Sequence, residues 1–276
     1  MATGAAHFAF LAPAMGATAF AIGHDMPAAR RAMVLAAGRA ETSQLWDVAQ
    51  GAFLALPDYW MPAEAGQWPA ALAGAHAMDA ALEAERANRP VYGLMQQVWI
   101  WPLEAQALAR TGDLAAAEAL IGKTPLDCYL CLRVRGAIAA QTQDWAGADR
   151  WFTEAVRLAP SSPFAEAEWA EARLARGDAD GALALAKRSA SKGPRFADPV
   201  EIWGEALMAK GDYAGAEKKF AEAGKLAPSW GRNHLKAAEA LARLGKAEGA
   251  RKELRAAARL DLTPPERAEL AAQARV

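Results

Sequence analysis

Apolar and small side chains recur along the chain at helical spacing, in stretches of about 12 to 15 residues separated by short polar turns. Alanine dominates these stretches, whereas the β-branched residues that favour strands are few. A parallel sheet would also need runs of valine and isoleucine, which the chain lacks. The pattern therefore predicts an all-α fold.

Five of the polar turns repeat the same local sequence. Their central positions are Gly112, Gln143, Gly177, Gly211 and Gly245, and the last four follow one another at intervals of 34 residues. A glycine at such a position can end a helix in the left-handed conformation. The aspartate that follows can cap the next helix by accepting backbone N–H bonds. The capping positions are Asp113, Asp144, Asp178 and Asp212.

Small residues mark where neighbouring helices approach each other. Five residues after the turn lie Ala148, Ala182, Ala216 and Ala250, and seven before it lie Gly136, Ala170, Gly204 and Ala238. Nine residues after the turn the chain carries Phe152, Ala186, Phe220 and Leu254. Three units close with a proline, at Pro160, Pro194 and Pro228. One helix pair of this size cannot bury its apolar face alone, so the pairs are expected to stack.

This combination resembles the tetratricopeptide repeat (TPR), a 34-residue helix–turn–helix with small residues in both helices and a closing proline. The unit 197–230 matches best, and the resemblance covers residues 98–262. It implies a right-handed superhelical solenoid of about seven antiparallel helix pairs with a C-terminal capping helix. The balance of alanine, lysine and arginine is typical of a bacterial protein with a GC-rich genome.

The repeat pattern predicts three regions. Residues 1–97 form degenerate helix pairs with turns at Gly23 and Gly66, and residues 98–262 form the regular array. Residues 263–276 form a capping helix that opens with a capping box from Thr263 to Glu266. Because residues 56–64 contain two prolines, they are expected to form an irregular loop or a broken helix.

Residues 1–24 carry no charged Asp, Glu, Lys or Arg side chain. We interpret them as a buried helix whose apolar positions follow helical spacing, at Phe8, Leu11, Met15 and Phe20. This predicts a cytoplasmic protein without a membrane span. A signal peptide is the alternative, which would make the protein periplasmic, although no basic residue precedes the apolar part. A membrane span is a second alternative, although residues such as His7 and Pro13 dilute the apolar run. A third alternative is that the chain is the regulatory tail of a larger protein.

The sequence contains few residue patterns that indicate catalysis. The net charge of −1 gives no general attraction for nucleic acids, and the four histidines show no metal-ligand spacing. Nucleotide-binding and hydrolase motifs are absent from the sequence. We therefore predict a protein that is not an enzyme and that holds no cofactor or metal. Cys128 and Cys131 form a lone C-x-x-C motif, interpreted as packing residues, with a reversible disulfide or half a metal site as alternatives.

The TPR resemblance implies that the first helices line a groove for a peptide or protein. Residues in register with that groove are Trp99, Arg110, Arg133, Gln141, Glu171, Asp198, Glu201, Glu205 and Glu239. Glu171, Glu205 and Glu239 share one repeat position, which predicts an acidic surface for a Lys- or Arg-bearing partner.

The alternative is a solvated face on which neighbouring cations neutralise these carboxylates. The cations in question are Arg173, Lys210, Lys236 and Arg243. The ten tryptophans, among them the equivalent pair Trp169 and Trp203, are interpreted mainly as fillers between Ala-rich helices, with Trp99 and Trp101 as candidates for ligand contact. The predicted function is a protein-interaction scaffold, with a sensor tail or a periplasmic envelope-assembly factor as alternatives.

Overall fold

The computed structural model describes residues 17–40 and 55–274, and every regular element among them is helical. A first helix runs through residues 17–22. It is followed by α1 (Met26–Ala40), α2 (Leu56–Glu64), α3 (Trp68–Glu85), α4 (Val91–Met95), a π-helical segment (Gln96–Ile100), α5 (Trp101–Thr111) and α6 (Leu114–Gly122). The chain continues with α7 (Tyr129–Gln141), α8 (Trp145–Leu158), α9 (Phe164–Ala175), α10 (Ala179–Lys192), α11 (Asp198–Ala209), α12 (Tyr213–Leu226), α13 (Gly231–Arg243), α14 (Ala247–Ala257) and α15 (Pro264–Gln273).

The described residues contain seven helix–turn–helix pairs followed by α15, as the repeat pattern predicts. Each pair turns at a residue with positive φ, and five of the seven are the glycines Gly66, Gly112, Gly177, Gly211 and Gly245. Gln143 adopts the same conformation with φ of 61°. The prediction of Gly23 as the first turn is wrong by one residue, because His24 has φ of 59° and Gly23 still belongs to the helix end. Asp25 follows His24 as an aspartate follows Gly177 in the later turn, so the aspartate marks this turn better than the glycine does.

The aspartate caps are present in all the turns for which they were predicted. Asp113, Asp144, Asp178 and Asp212 accept backbone N–H bonds from the third residue of the following helix, at 2.8 to 3.1 Å. Asp25 caps α1 in the same way, through the N–H of Ala28 at 3.0 Å. At the other end of the chain, Thr263 and Glu266 form the predicted capping box of α15.

The small residues allow close helix contact within a pair. A Cβ atom at Gly136 would lie 2.8 Å from the ring of Phe152, and one at Gly204 would lie 2.6 Å from the ring of Phe220. Both rings are fully buried. The pair that carries Ala186 at the phenylalanine position carries Ala170 at the glycine position, and both alanines are buried in one cluster. The two positions therefore compensate each other in volume.

Residues 56–64 form the continuous helix α2, so the predicted loop or broken helix is wrong. Pro57 lies in the first turn, where the missing N–H has no helical partner to lose. Pro62 falls near the end of this short helix, so it removes little of the hydrogen-bond ladder. Tyr59 between them is fully buried and donates its hydroxyl to Gln106 Oε1 at 2.9 Å, which fixes the segment against α5.

The first helix of the third pair is interrupted by the π-helical segment Gln96–Ile100. Pro102 explains where it lies, because a proline ring clashes with the carbonyl four residues earlier in an α-helix. The wider π turn displaces that carbonyl, which belongs to Val98. The N–H of Trp101 donates to Gln96 O, the pattern of a π turn.

The predicted N-terminal helix falls only partly within the described residues. Phe8, Leu11 and Met15 lie outside the described residues. Phe20, predicted to be buried, is 45% exposed, whereas Ala17 and Ala21 provide the buried positions of this helix. In the part of the chain that the structure describes, no helix is both long enough and apolar enough to span a membrane.

The chain divides into two compact units, residues 1–134 and 135–276, with the boundary inside α7. In unit 1 the main core cluster includes Tyr59, Met78, Leu82 and Leu103. In unit 2 separate clusters form around Phe152, around Phe220 and around Leu235, the last of which includes Leu270 of α15. Each unit thus builds its own core between neighbouring helices.

Candidate functional site

The predicted groove residues all lie on first helices or on the π segment, and they fall into two sets. Unit 1 holds Trp99, Arg110 and Arg133, and unit 2 holds Gln141, Glu171, Asp198, Glu201, Glu205 and Glu239. The name "acidic ladder" is used below for Glu171, Glu205 and Glu239, which occupy the same position of α9, α11 and α13.

The strongest interaction in the second set joins Glu201 and Glu205 to Arg232. The two carboxylates lie one turn apart on α11, and Arg232 lies on the next first helix, α13. Arg232 Nε donates to Glu201 Oε1 at 3.0 Å, and its Nη2 donates to Glu205 Oε1. Glu201 is only 1% exposed, so this arginine supplies the charge that a buried carboxylate needs. Sequence reasoning missed Arg232 as a member of the site.

Burial and the neighbouring charges shift the pKa values of Glu201 and Glu205. Burial raises the pKa of Glu201 well above its ordinary value, and Arg232 opposes that shift. Burial also acts to raise the pKa of Glu205, but the charge of Arg232 and a hydrogen bond from Glu201 outweigh it, so the pKa of Glu205 is lowered. The pKa values of the two carboxyl groups are thus shifted in opposite directions, and the charge of Arg232 acts to lower both.

The outer members of the acidic ladder are more accessible. Glu171 is exposed, and its charge helps to raise the pKa of Arg232, after the larger effect of Glu201. Glu239 is partly exposed and lies 3.9 Å from Arg243 Nη2, a distant pair on the same helix. Asp198, at the start of α11, is half-buried, and Gln141 is exposed at the end of α7. Glu171 and Glu239 are thus the more exposed carboxylates of the ladder, and Glu205 is more buried.

The cations expected to neutralise the acidic ladder mostly bind elsewhere. Arg173 pairs with Asp149 and Asp178, and Lys210 pairs with Asp180. Lys236 Nζ lies 3.1 Å from Glu269 of α15, although its charge also acts on Glu205. Of these four cations, Arg243 forms an ion pair with a ladder residue, at the 3.9 Å distance from Glu239. The prediction omitted Arg232, which pairs directly with Glu205, and the charge of Lys236 adds to its effect on the pKa of Glu205.

A signal for Arg232 is present in the sequence. Arg232 lies 34 residues after Asp198 and therefore occupies the same repeat position, where α9 carries Phe164. Along this one position the side chain changes from aromatic to acidic to basic. Comparing the repeats position by position, rather than tracing carboxylates alone, would have placed a cation beside the helix that carries Glu201 and Glu205.

The first set contains one exposed aromatic residue and two arginines that contact aromatic rings. Trp99 is 42% exposed in the π segment. The guanidinium of Arg110 lies 5.1 Å from the centre of the Trp68 ring, and that of Arg133 lies 5.4 Å from the Tyr129 ring. These distances are typical of cation–π contacts, which hold both arginine side chains against aromatic rings of unit 1.

Trp101, the other tryptophan considered for ligand contact, forms a hydrogen bond within unit 1. Its Nε1 donates to Asp79 Oδ1 at 2.8 Å, and the side chain is half-buried. Two exposed apolar side chains near Trp99 were not singled out from the sequence, Val91 and Leu94, which are 58% and 56% exposed. They lie three residues apart on α4 and thus share one face of the helix.

The interpretation of the tryptophans as fillers fits the equivalent pair in unit 2. Trp169 donates its Nε1 to Asp149 at 2.6 Å and stacks on Phe152 with ring centres 6.4 Å apart. Trp203 packs against Leu185 and Ile202, and Lys219 lies over its ring. Both side chains are half-buried between helices.

Cys128 and Cys131 form a disulfide, which was the alternative to their interpretation as packing residues. The bond lies at the start of α7, and Cys131 is fully buried. Among the described residues, no group of three or more His, Cys, Asp or Glu side chains is arranged to hold a metal ion.

Comparison with known proteins supplies a fold. No protein-family model matches the chain, and no curated protein matches it. The solved structure of pilF from Pseudomonas aeruginosa superimposes with a TM-score of 0.54 at 12% identity, over 60% of this chain and 78% of that one. Together with the 34-residue helix pairs, this decides the architecture. The chain has the TPR fold.

Two further TPR-type matches have lower scores. YrrB, described as a TPR protein with an unusual peptide-binding site, gives a TM-score of 0.47 at 14% identity, over 71% of this chain and 98% of that one. MamA from Desulfovibrio magneticus RS-1 gives 0.49 at 16% identity, over 59% and 94% of the two chains.

Proposed function

We propose that this TPR protein is an interaction scaffold and that unit 2 binds a Lys- or Arg-bearing peptide segment along its acidic ladder. The observation that carries the proposal is the repetition of a carboxylate at one position of three successive first helices, with Glu171 and Glu239 accessible. A basic peptide would gain electrostatic complementarity at both carboxylates. No catalytic step is needed for this function.

The central cluster supports the proposal by holding the surface in place. Arg232 ties α11 to α13 through Glu201 and Glu205, so the two first helices that carry Glu205 and Glu239 are joined by ion pairs. A rigid surface loses less entropy when it binds a ligand. The two outer carboxylates then act as charged contacts on a fixed frame.

The test uses synthetic twelve-residue peptides that are lysine-rich, glutamate-rich or uncharged, with binding measured by fluorescence anisotropy. We expect the full-length protein to prefer the lysine-rich peptide and the variant Glu171→Gln/Glu239→Gln to lose about tenfold in affinity, a loss of about 1.4 kcal/mol. Glu222→Gln/Glu248→Gln is the matched control, because it removes two exposed carboxylates from second helices.

Equal weakening by the two double variants would reduce the effect to overall charge and would contradict the proposal. Glu205 is left unchanged in this test, because its loss would leave Arg232 with fewer partners inside the structure. Raising the salt concentration should weaken the wild-type interaction, since the contacts are near the surface.

The disulfide supports a second candidate, a periplasmic factor. Disulfides persist in oxidising compartments and are rare in the bacterial cytoplasm, and Cys128 and Cys131 are bonded. Mass spectrometry of the protein isolated from its host tests this candidate. Cleavage within residues 1–24 would support the periplasmic factor, whereas a chain that keeps those residues would favour the predicted cytoplasmic protein.

A further inference from the structure

The Cys128–Cys131 disulfide is asymmetric in its exposure. Cys131 is fully buried, whereas Cys128 is half-buried at the N-terminal end of α7. The backbone N–H of Cys131 points to Cys128 Sγ at 3.2 Å. An external thiol can therefore reach the sulfur of Cys128 more readily than that of Cys131, and a negative charge on Cys128 would meet this N–H and the positive end of the helix.

Two backbone carbonyls of the π segment face the sulfurs. Cys128 Sγ lies 3.6 Å from the carbonyl oxygen of Val98, and Cys131 Sγ lies 3.6 Å from that of Gln97. Pro102 lies four residues after Val98 and five after Gln97, and it has no N–H to offer either carbonyl. The preceding N–H, that of Trp101, donates to Gln96 O. These carbonyls are therefore placed to accept hydrogen bonds from thiols, which a disulfide cannot supply.

The sequence spacing argues against a purely structural bond. A disulfide stabilises a fold chiefly by restricting the unfolded chain, and the effect shrinks as the closed loop becomes shorter. Cys128 and Cys131 are only three positions apart, and α7 already fixes the backbone between them. The bond therefore adds little constraint, and the carbonyls of Gln97 and Val98 lie within reach of thiols at the two cysteines.

We propose that Cys128 and Cys131 form a reversible thiol–disulfide exchange site that reacts with small dithiols. One thiolate of the dithiol attacks Cys128 Sγ, the S–S bond breaks, and its electron pair passes to Cys131 Sγ. Cys131 takes a proton from water and donates its S–H to Gln97 O. The second thiolate of the reagent then attacks the mixed disulfide, which releases Cys128 and leaves the reagent as a cyclic disulfide. Two electrons pass from the dithiol to the protein.

The first test follows both thiols in the folded full-length chain. The protein is equilibrated in mixtures of reduced and oxidised dithiothreitol, quenched with a maleimide–polyethylene glycol, and separated by size, while circular dichroism reports helicity. We expect two thiols to appear together at unchanged helicity and to disappear when the oxidised reagent is restored. Reduction only after denaturant is added would show a buried structural bond and would overturn the proposal.

The second test assigns the roles of the two sulfurs. With oxidised glutathione as the probe, Cys131→Ser should form a mixed disulfide at Cys128 about tenfold faster than Cys128→Ser forms one at Cys131, because access controls the exchange rate. Both variants lack the bond, so a difference in folding does not favour either one. Equal rates would contradict the assignment of Cys128 as the attacked sulfur.

The third test addresses the carbonyls. Pro102→Ala restores an N–H that can bind Val98 O or Gln97 O, so the thiols lose acceptors and the equilibrium should shift toward the disulfide by about threefold or more. Pro90→Ala is the control, since this proline is exposed at the start of α4. An unchanged equilibrium in Pro102→Ala would remove the carbonyls from the proposal and overturn it in this form.

Discussion

At the scale of single residues, the fold depends on volume matched across each helix pair. Gly204 faces Phe220, and Gly136 faces Phe152, whereas Ala170 is matched by Ala186. A methyl group at Gly204 would meet the fully buried ring of Phe220 at 2.6 Å, so the ring or a helix would have to shift. The glycine is needed here for close approach rather than for its conformational freedom.

We therefore expect Gly204→Ala to destabilise the protein, although alanine is the better helix former. The gain in helix propensity is about 1 kcal/mol, and overpacking a dense core costs about 1 to 3 kcal/mol or more. Chemical denaturation followed by circular dichroism measures the balance. Adding Phe220→Leu should recover stability relative to Gly204→Ala, because the last repeat combines Ala238 with Leu254. A double-mutant cycle without favourable coupling would contradict the matched-volume explanation.

Asp178 combines a helix cap with ion pairs, which makes its contribution dependent on pH. Its Oδ2 accepts from Arg173 Nη1 at 2.7 Å and from Arg176 Nη2 at 3.1 Å, while its Oδ1 accepts the Gly181 N–H at 2.9 Å. The bond from Arg173, followed by the Gly181 N–H, lowers the pKa of Asp178 to about 2. The folded pKa is therefore below the unfolded one, so the stabilisation is present above pH 4 and is lost between about pH 4 and 2.

We predict that Asp178→Asn keeps most of the cap and removes this acid-dependent part. The stability of Asp178→Asn should approach that of wild type as the pH falls from 4 to 2. At neutral pH, Asp178→Ala should be about 1 kcal/mol less stable than Asp178→Asn, because the cap is lost. Urea denaturation at a series of pH values checks both expectations. Asp212→Asn is the control, because Asp212 caps α12 in the same manner. A parallel pH profile for wild type and Asp178→Asn would disprove the prediction.

At the scale of helices, a titratable contact joins the two helices of the last pair. His234 Nδ1 on α13 lies 2.6 Å from Glu253 Oε2 on α14. The hydrogen bond to Glu253 raises the pKa of His234 against the opposing effect of burial, and Pro228 O contributes through the other ring nitrogen. The folded pKa exceeds the unfolded one, so this stabilisation is complete below about pH 6.5 and is lost as the pH rises through the folded value.

A nuclear magnetic resonance titration of the histidine ring tests this contact directly. We expect His234 to titrate above about 6.5, the ordinary value for histidine, and to return toward that value in Glu253→Gln. Glu248→Gln serves as the control, since it removes an exposed carboxylate at the start of α14. If His234 titrates at the same pH in wild type and Glu253→Gln, the contact does not contribute in solution.

The positions of turns and helix starts were predictable from sequence where one residue type determines the local backbone geometry. Glycine at positive φ and aspartate at the helix start define the turns, so Gly177 and Asp178 could be placed without knowledge of the tertiary structure. α2 was missed because the burial of Tyr59 outweighs the presence of Pro62, and burial depends on distant residues such as Gln106. The π segment likewise depends on how Pro102 is accommodated.

The candidate site was predictable only in its repeated part. Glu171, Glu205 and Glu239 follow from the period alone. The role of Arg232 and the raised pKa of Glu201 depend on two side chains from different helices meeting in a buried place, which the charges on one helix do not reveal. The disulfide was kept as an alternative, since spacing permits the bond but does not require it.

At the scale of the whole molecule, unit 2 is expected to fold without most of the residues that precede it. Unit 2 contains its own buried clusters around Phe152, Phe220 and Leu235, and α15 covers its last pair through Leu270. In stacked repeats, stability arises within each repeat and from its nearest neighbours. Because the boundary between the units lies inside α7, a fragment of unit 2 should fold only if it carries that helix complete.

We predict that residues 127–276 fold alone with cooperative unfolding and that residues 135–276 are clearly less stable. The longer fragment retains all of α7 and the cap of the following helix by Asp144, whereas the shorter one begins in the middle of α7 and keeps too few turns to hold Gly136 against Phe152. Helicity per residue and urea midpoints of the two fragments and the full chain provide the comparison. Equal midpoints for the two fragments would show that the first half of α7 contributes nothing to unit 2. A longer fragment without cooperative unfolding would show that the clusters of unit 2 need the residues before 127, so that the two units form one folding domain.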